Sequence, residues 1–258
     1  MADAGMPRSR DRIDVATAAA AAVARAAALE ARFAGIATPD MLATLFAEGL
    51  AGKVAVVSSF GAESAVLLHL VAAVDPAVPV LFLDTGRHFA ETLAYRDTLV
   101  ARLGLLDLRV IAPDPAALAA RDANALRWSY DPDGCCAIRK VAPLAAGLAG
   151  FDASITGRKA FQARTRTALA RFEADGDRLK INPLADWTRA DIDTYFAAHA
   201  LPPHPLVDRG YPSIGCAPCT SMVQPGEDPR AGRWRGWQKT ECGIHKPAGD
   251  ADPDLPVF

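Results

Sequence analysis

Apolar runs alternate with polar, small-residue breaks so that the chain reads as repeated strand–loop–helix units. An Ala-rich amphipathic stretch, Val15 to Ala34, predicts a first helix with a packing role, and Thr38-Pro39-Asp40 reads as an N-cap into a second helix over Met41 to Glu48. Gly49 and Gly52 break that pattern. Lys53–Ser58 is a β-branched run of the buried parallel-strand kind, followed by the loop Ser58-Ser59-Phe60-Gly61-Ala62-Glu63-Ser64 and a helical AVLLHLVAAV. The plan then repeats. Pro79–Leu83 predicts a strand ending in Asp84-Thr85-Gly86-Arg87, with a helix through Arg102, and Leu108–Ile111 predicts a third strand closed by Pro113 and Pro115. Cys135-Cys136 opens a helical stretch, CCAIRKVAPLAAGLA. Ala153–Thr156 and Leu179–Ile181 predict two more strands, and Thr188 with Asp191 reads as a capping box for a helix to His199. Beyond Pro202 periodicity fades and irregular structure is expected.

Strands alternating with helices in this way predict an α/β fold built on a doubly wound, mostly parallel sheet, with ligands at the carboxyl ends of the strands. The expected organisation is a helical segment over 1–50, a nucleotide-binding α/β body over 51–214, and a cysteine-containing tail over 215–258 that belongs to the same domain. At 258 residues, 51% hydrophobic and 22% charged, the chain can bury a sizeable core. Its formal net charge of −2 provides no global basic field, so neither nucleic acid nor membrane is an expected partner, and any anion site must be local. No apolar run has the length of a membrane span, and the Ala-rich opening carries acids unlike a transit peptide. The expected compartment is the reducing cytoplasm, where five cysteines read as metal-binding or catalytic rather than as a disulfide framework.

Those cysteines divide into an adjacent pair, Cys135 and Cys136, a C-x-x-C pair, Cys216 and Cys219, and a lone Cys242 near the chain end. Four thiolates suit zinc or an iron–sulfur cluster. An adjacent pair is awkward for a zinc knuckle, which tilts the spacing slightly towards the cluster. Cys242 lies in the polar segment Lys239-Thr240-Glu241-Cys242-Gly243-Ile244-His245, where exposure and the neighbouring Lys239 and His245 are expected to favour the thiolate and nucleophilic attack.

The loop over Ser58, Ser59, Phe60 and Gly61 is by itself an ordinary strand-to-helix turn and not a Walker A sequence. With Asp84, Thr85 and Gly86 ending the next strand, a nucleotide site becomes the better reading. The basic loop Arg158–Arg166, with Gln162, directly follows a strand. Arg230 and Arg233, beside Trp234, add planar guanidinium forks suited to phosphate or sulfate oxygens. His69 is expected to be a satisfied core histidine, whereas His88, His199 and His204 have no assigned role.

Taken together, SSFGAES, LDTGRHFAET, CCAIRKVAPL, TGRKAFQARTR, INPLADWTRADI, GCAPCT, RAGRW and KTECGIH resemble the assimilatory sulfonucleotide reductases, in particular the adenylyl-sulfate (APS) reductases that carry a 4Fe–4S cluster. The resemblance runs from Val54 to His245. It implies a fold akin to the ATP pyrophosphatases, with a phosphate loop too altered for ATP cleavage. It implies one 4Fe–4S cluster on Cys135, Cys136, Cys216 and Cys219, and attack by Cys242 on the phosphosulfate sulfur. AMP is then expelled, and thioredoxin or a glutaredoxin-like reductant releases sulfite. Ser58 to Gly61, Asp84 to Gly86, Arg158, Gln162 and Arg166 are expected to hold the nucleotide. Lys140, Arg230, Arg233 and His245 are expected to stabilise the leaving charge, with Lys140 sharing a helix face with Cys136. Where many relatives have Gln-Ser in the basic loop, Gln162 here precedes Ala163, so a hydroxyl contact is missing. The rival substrate is the 3′-phosphorylated nucleotide (PAPS), alone or alongside APS. From other classes, an ATP-dependent thiolation enzyme and a non-catalytic cluster or zinc module remain. Oligomeric state is open, with a homo-oligomer as one option.

Overall fold

The computed structural model describes residues 9–162 and 166–245. The end stretches 1–8 and 246–258, and the Ala163 position in the basic loop, lie outside the described residues. The sheet is a six-stranded one in the order β3-β2-β1-β4-β6-β5, made of β1 (Val54–Val57), β2 (Val80–Leu83), β3 (Leu108–Ile111), β4 (Ala153–Thr156), β5 (Phe172–Asp175) and β6 (Arg178–Ile181). All pairings are parallel except β5 with β6. β2 and β4 are buried along their whole length, as strands covered on both faces must be.

The two-residue period of the strands assigns each face its own core. Val56, Val80 and Phe82 point to the face covered by α2 (Thr38–Ala47), α3 (Ser64–Ala72), α4 (Ala90–Leu103) and α8 (Arg189–Ala198). Ala55, Leu81 and Leu83 point the other way, towards Leu144 and Leu148 in and just beyond α7 (Ala142–Gly147). The chain lays β2 and β3 on one side of β1, then returns to place β4 on the other. The loops after β1 and β4 therefore diverge at their carboxyl ends, which is the switch point where doubly wound folds open a crevice.

Several elements differ from the sequence expectations. Thr38 does not cap α2. Ala37 occupies that position, and the Thr38 hydroxyl donates to the Pro183 carbonyl at 2.9 Å while accepting from Trp187 Nε1 at 2.9 Å. Pro115 opens a helix rather than closing a strand: in α5 (Pro115–Arg121) it stands in the first turn, and the Asp114 carboxylate accepts from the Ala116 N–H. Cys135 and Cys136 end a short helix, α6 (Pro132–Cys136), instead of opening a long one. The next turn, Ala137–Val141, is π-wound before α7 begins. Lys140 is thus less than a full turn from Cys136, whereas in an α-helix the same spacing exceeds one turn. β5 escaped the pattern because Phe-Glu-Ala-Asp offers one large apolar residue, Phe172, and only its hairpin with β6 makes it a strand. The capping box of α8 is present, with Thr188 and Asp191 each accepting from the other's backbone N–H.

α1 (Ser9–Arg32) packs along β5. Phe33, just past the helix, stacks on Phe172 at 5.7 Å, the Glu30 carboxylate accepts from the Phe172 N–H at 2.9 Å, and the Arg171 guanidinium donates to the Ile36 carbonyl.

Candidate active site

The crevice at the switch point holds a cleft of about 250 Å³ of open volume. Its walls come from the loop after β1 (Ser58, Ser59, Gly61, Glu63), the loop after β4 (Arg158, Lys159, Gln162, Arg166) and the late segment bearing Arg230, Arg233, Cys242 and His245. Lys140 reaches it from the π-turn. Seven Lys or Arg side chains line this space against three carboxylates, so a molecule of net charge −2 carries a local cationic well.

Not every expected residue faces the cleft. Phe60, in the left-handed region at φ 48°, turns its ring into the core against Phe82 at 5.6 Å. Asp84, Thr85 and Gly86 are not among the cleft's lining residues: the Asp84 carboxylate accepts from the Gly86 N–H at 2.9 Å, Thr85 Oγ1 lies 3.3 Å from Cys216 Sγ, and the Thr85 carbonyl accepts from Arg139 Nη1 at 2.9 Å. Arg158 lines the cleft, but its guanidinium is already bonded to Glu173 on β5 and to Asn182. The Arg166 fork grips Glu241, with Nε to Oε1 at 2.8 Å and Nη2 to Oε2 at 2.9 Å.

Three participants were not singled out from the sequence. Glu63 pairs with Lys159 at 2.8 Å and with Arg189, and accepts from Gln162 Nε2 at 2.8 Å, tying the loop after β1 to the loop after β4. Lys159 is buried, at 2% exposure. Burial works against both charges, but Lys159 and Arg189 hold the Glu63 carboxyl below its ordinary range. Glu241 is the third. The motifs containing Glu63 and Glu241 were visible, but a search for anion-binding groups passes over acids.

Cys135, Cys136, Cys216 and Cys219 line one small cavity beside the cleft, with Arg87, Arg139, Lys140 and Trp234 around it. All are free thiols. Burial pushes Cys135, Cys136 and Cys219 up to about 11. For Cys216 burial is outweighed by Lys140, the Thr85 hydroxyl and Arg233, and its thiol is lowered. Lys140 is the converse case: desolvation is overcome by Cys216, Cys242 and Cys136, which raise it. Among the described residues, no three His, Cys, Asp or Glu side chains are disposed to hold a metal ion. Four thiols around a shared cavity flanked by cations are nevertheless a donor set suited to an anionic thiolate-bound cluster, whose irons hold their ligands further apart than one zinc does.

Cys242 is half-buried at the cleft. The expectation that Lys239 and His245 supply positive charge beside it needs correction. Lys239 is bonded to Asp133 and lies over the Trp234 ring. Burial, reinforced by Arg158, Arg166, Lys180 and Arg230, keeps His245 neutral by lowering its pKa well below the usual value. Its buried Nδ1 has no hydrogen-bond partner among the described residues. His88, also in the cleft wall, bonds the Leu83 carbonyl at 2.9 Å.

A family model described as the phosphoadenosine phosphosulfate reductase domain matches residues 53–222. The chain belongs to the phosphoadenosine phosphosulfate reductase family. As the motifs implied, its similar relatives include the adenosine 5′-phosphosulfate reductase of Mesorhizobium japonicum, 53% identical over 239 residues and 93% of each chain. A phosphoadenosine 5′-phosphosulfate reductase of Gloeobacter violaceus is 44% identical over 75% of this chain and 82% of its own. Among solved structures, the phosphoadenylyl-sulfate reductase of Candida auris in its phosphate complex superposes with a TM-score of 0.63 at 25% identity, over 77% of this chain and 96% of that one. An FMN adenylyltransferase of Candida glabrata, at 15% identity and a TM-score of 0.51 over 95% and 86%, shares the fold. This member of the reductase family is an oxidoreductase acting on sulfur. Among its described residues no helix is long and apolar enough to cross a membrane.

Proposed function

We propose that the protein reduces adenylyl sulfate to sulfite and AMP, with Cys242 as nucleophile, a 4Fe–4S cluster on Cys135, Cys136, Cys216 and Cys219, and cytoplasmic thioredoxin or a similar dithiol as reductant. The observation that carries the reading is the position of Lys140, which stands among Cys216, Cys242 and Cys136 and so joins the four-cysteine cavity to the cleft. When bound, the cluster supplies fixed charge beside that lysine.

The Cys242 thiolate attacks the sulfur of the phosphosulfate. The S–O bond to phosphate breaks, and AMP leaves with the electron pair. Lys140, Arg230 and Arg233 are the preorganised donors for that developing charge. Neutral His245 offers a hydrogen bond from the same wall. The S-sulfonate left on Cys242 is attacked at Sγ by a thiolate of the reductant, which expels sulfite and forms a mixed disulfide. The reductant's second thiol resolves it, so the two electrons come from the dithiol.

Ser58, Ser59 and Gly61, at the carboxyl end of β1 before α3, are suited to the nucleotide. Relatives named for APS at 53% and 55% identity favour that substrate, and the relative named for PAPS makes the 3′-phosphorylated nucleotide the specific rival. The test is mass spectrometry of anaerobically purified protein incubated with APS or PAPS without reductant. An 80 Da class adduct (about one SO₃ group) on the Cys242 peptide, removed by thioredoxin, is the expected result with APS. Neither nucleotide labelling Cys242 in protein of full iron content would sink the reading.

A further inference from the structure

Building on the sulfonucleotide reading, we propose that Glu241 is a positioning residue for the reaction: its carboxylate, gripped by Arg166, holds the segment carrying Cys242 in place over the cleft. The grip is the bidentate fork already described, which fixes direction as well as distance. Arg166 is buried, at 8% exposure, and its remaining bonded nitrogen, Nη1, donates to Gln162 Oε1 at 2.8 Å, so the fork is itself held still. Arg230 reinforces the hold from the other side, donating to the Thr240 carbonyl at 2.7 Å and lying 3.4 Å from Glu241 Oε2.

Cys242 hangs between this grip and a second, apolar one. Gly243, at φ 91°, makes the bend after it, and Ile244 then packs on the small core under the sheet that includes Leu81, Leu83 and Leu144. Removing the carboxylate takes away the bidentate hold on that side and leaves that side to the bond from Arg230 to the Thr240 carbonyl. Arg166 is thereby assigned to the tail rather than to the nucleotide, and the anion is left to Lys140, Arg230 and Arg233.

The test is single-turnover sulfonation of Cys242 at saturating APS in E241Q and E241D, with APS affinity measured separately in C242S and the double variant E241Q/C242S. E241Q is expected to slow sulfonation by roughly 10- to 100-fold, the scale of a small misplacement of a reacting group. Affinity is expected to stay within about 3-fold, a difference below 1 kcal/mol. E241D is expected to recover part of the rate, and E241Q/R166A to be no slower than R166A, because the pair acts as a unit. In the free enzyme, iodoacetamide should alkylate Cys242 several-fold faster in E241Q. Wild-type sulfonation rates in E241Q, or a loss lying wholly in affinity, overturn the proposal. A wild-type enzyme that forms no adduct overturns the sulfonucleotide reading instead. The alkylation rates then still decide the tether, with equal rates rejecting it.

Discussion

His204 has no solvent exposure and is fully bonded as a neutral ring, with the Leu206 N–H donating to Nδ1 at 3.1 Å and Nε2 lying 3.1 Å from Thr92 Oγ1. Burial lowers its pKa to about 4. The unfolded chain takes up a proton near pH 6.5 that the folded chain refuses until about pH 4, so stability falls as pH drops through that window. The contribution is on the order of 3 kcal/mol. His69, His88 and His245 are lowered as well, so the wild-type slope is composite. The difference in slope between wild type and H204Q, from urea melts at pH 7 and pH 4.5, isolates this residue. Equal slopes would show that His204 protonates freely in the fold. Arg139 and Asp122 form a buried pair, 2.6 Å apart with side chains 9% and 0% exposed. D122N strands the arginine and is expected to cost about 3–5 kcal/mol in the same melts.

At the scale of elements, the turn that carries Cys216 and Cys219 has no regular strand or long helix to support it. It is held by an isolated bridge between Thr220 and Arg233, with the Ser221 N–H donating to the Gly232 carbonyl at 2.9 Å. A Cβ at Gly232 meets the Ser221 carbonyl oxygen, which is backbone and has little room to yield. G232A is therefore expected to detach Arg233 and Trp234 from the cysteine turn and lower iron content per chain, with the α/β body still giving a native circular-dichroism spectrum. Unchanged iron content would refute this role for the bridge. The same weakly periodic region explains what could be read in advance. The inner parallel strands β1, β2 and β4 were legible because each buries a short apolar run, and the cysteines and arginines because their chemistry marks them. The π-turn at Ala137–Val141 was not, since its sequence suits an α-helix equally well. Nor were the partners of Arg158 and Arg166, because Glu173 and Glu241 are brought to them only by the β5–β6 hairpin and the docked tail.

For the whole molecule, a small net charge of −2 combined with a cationic cleft makes anion capture a short-range affair. Screening shortens from about 10 Å at 0.1 M salt to about 3 Å at 1 M. Raising potassium chloride across that range is expected to increase KM for the nucleotide several-fold with a much smaller change in kcat, measured by initial rates with a dithiol reductant. A KM indifferent to salt would argue that the well contributes little to capture. The sheet also has two margins, and each is a liability. β3 and β5 are the two terminal strands, and an unpaired margin is a template on which another chain can add a strand of its own. By lying along β5 and accepting the Phe172 N–H with Glu30, α1 acts as a guard against self-association. A chain beginning at residue 37 should therefore keep its cleft and yet build up soluble oligomers and then fibrous aggregates faster than the full chain, as followed by light scattering.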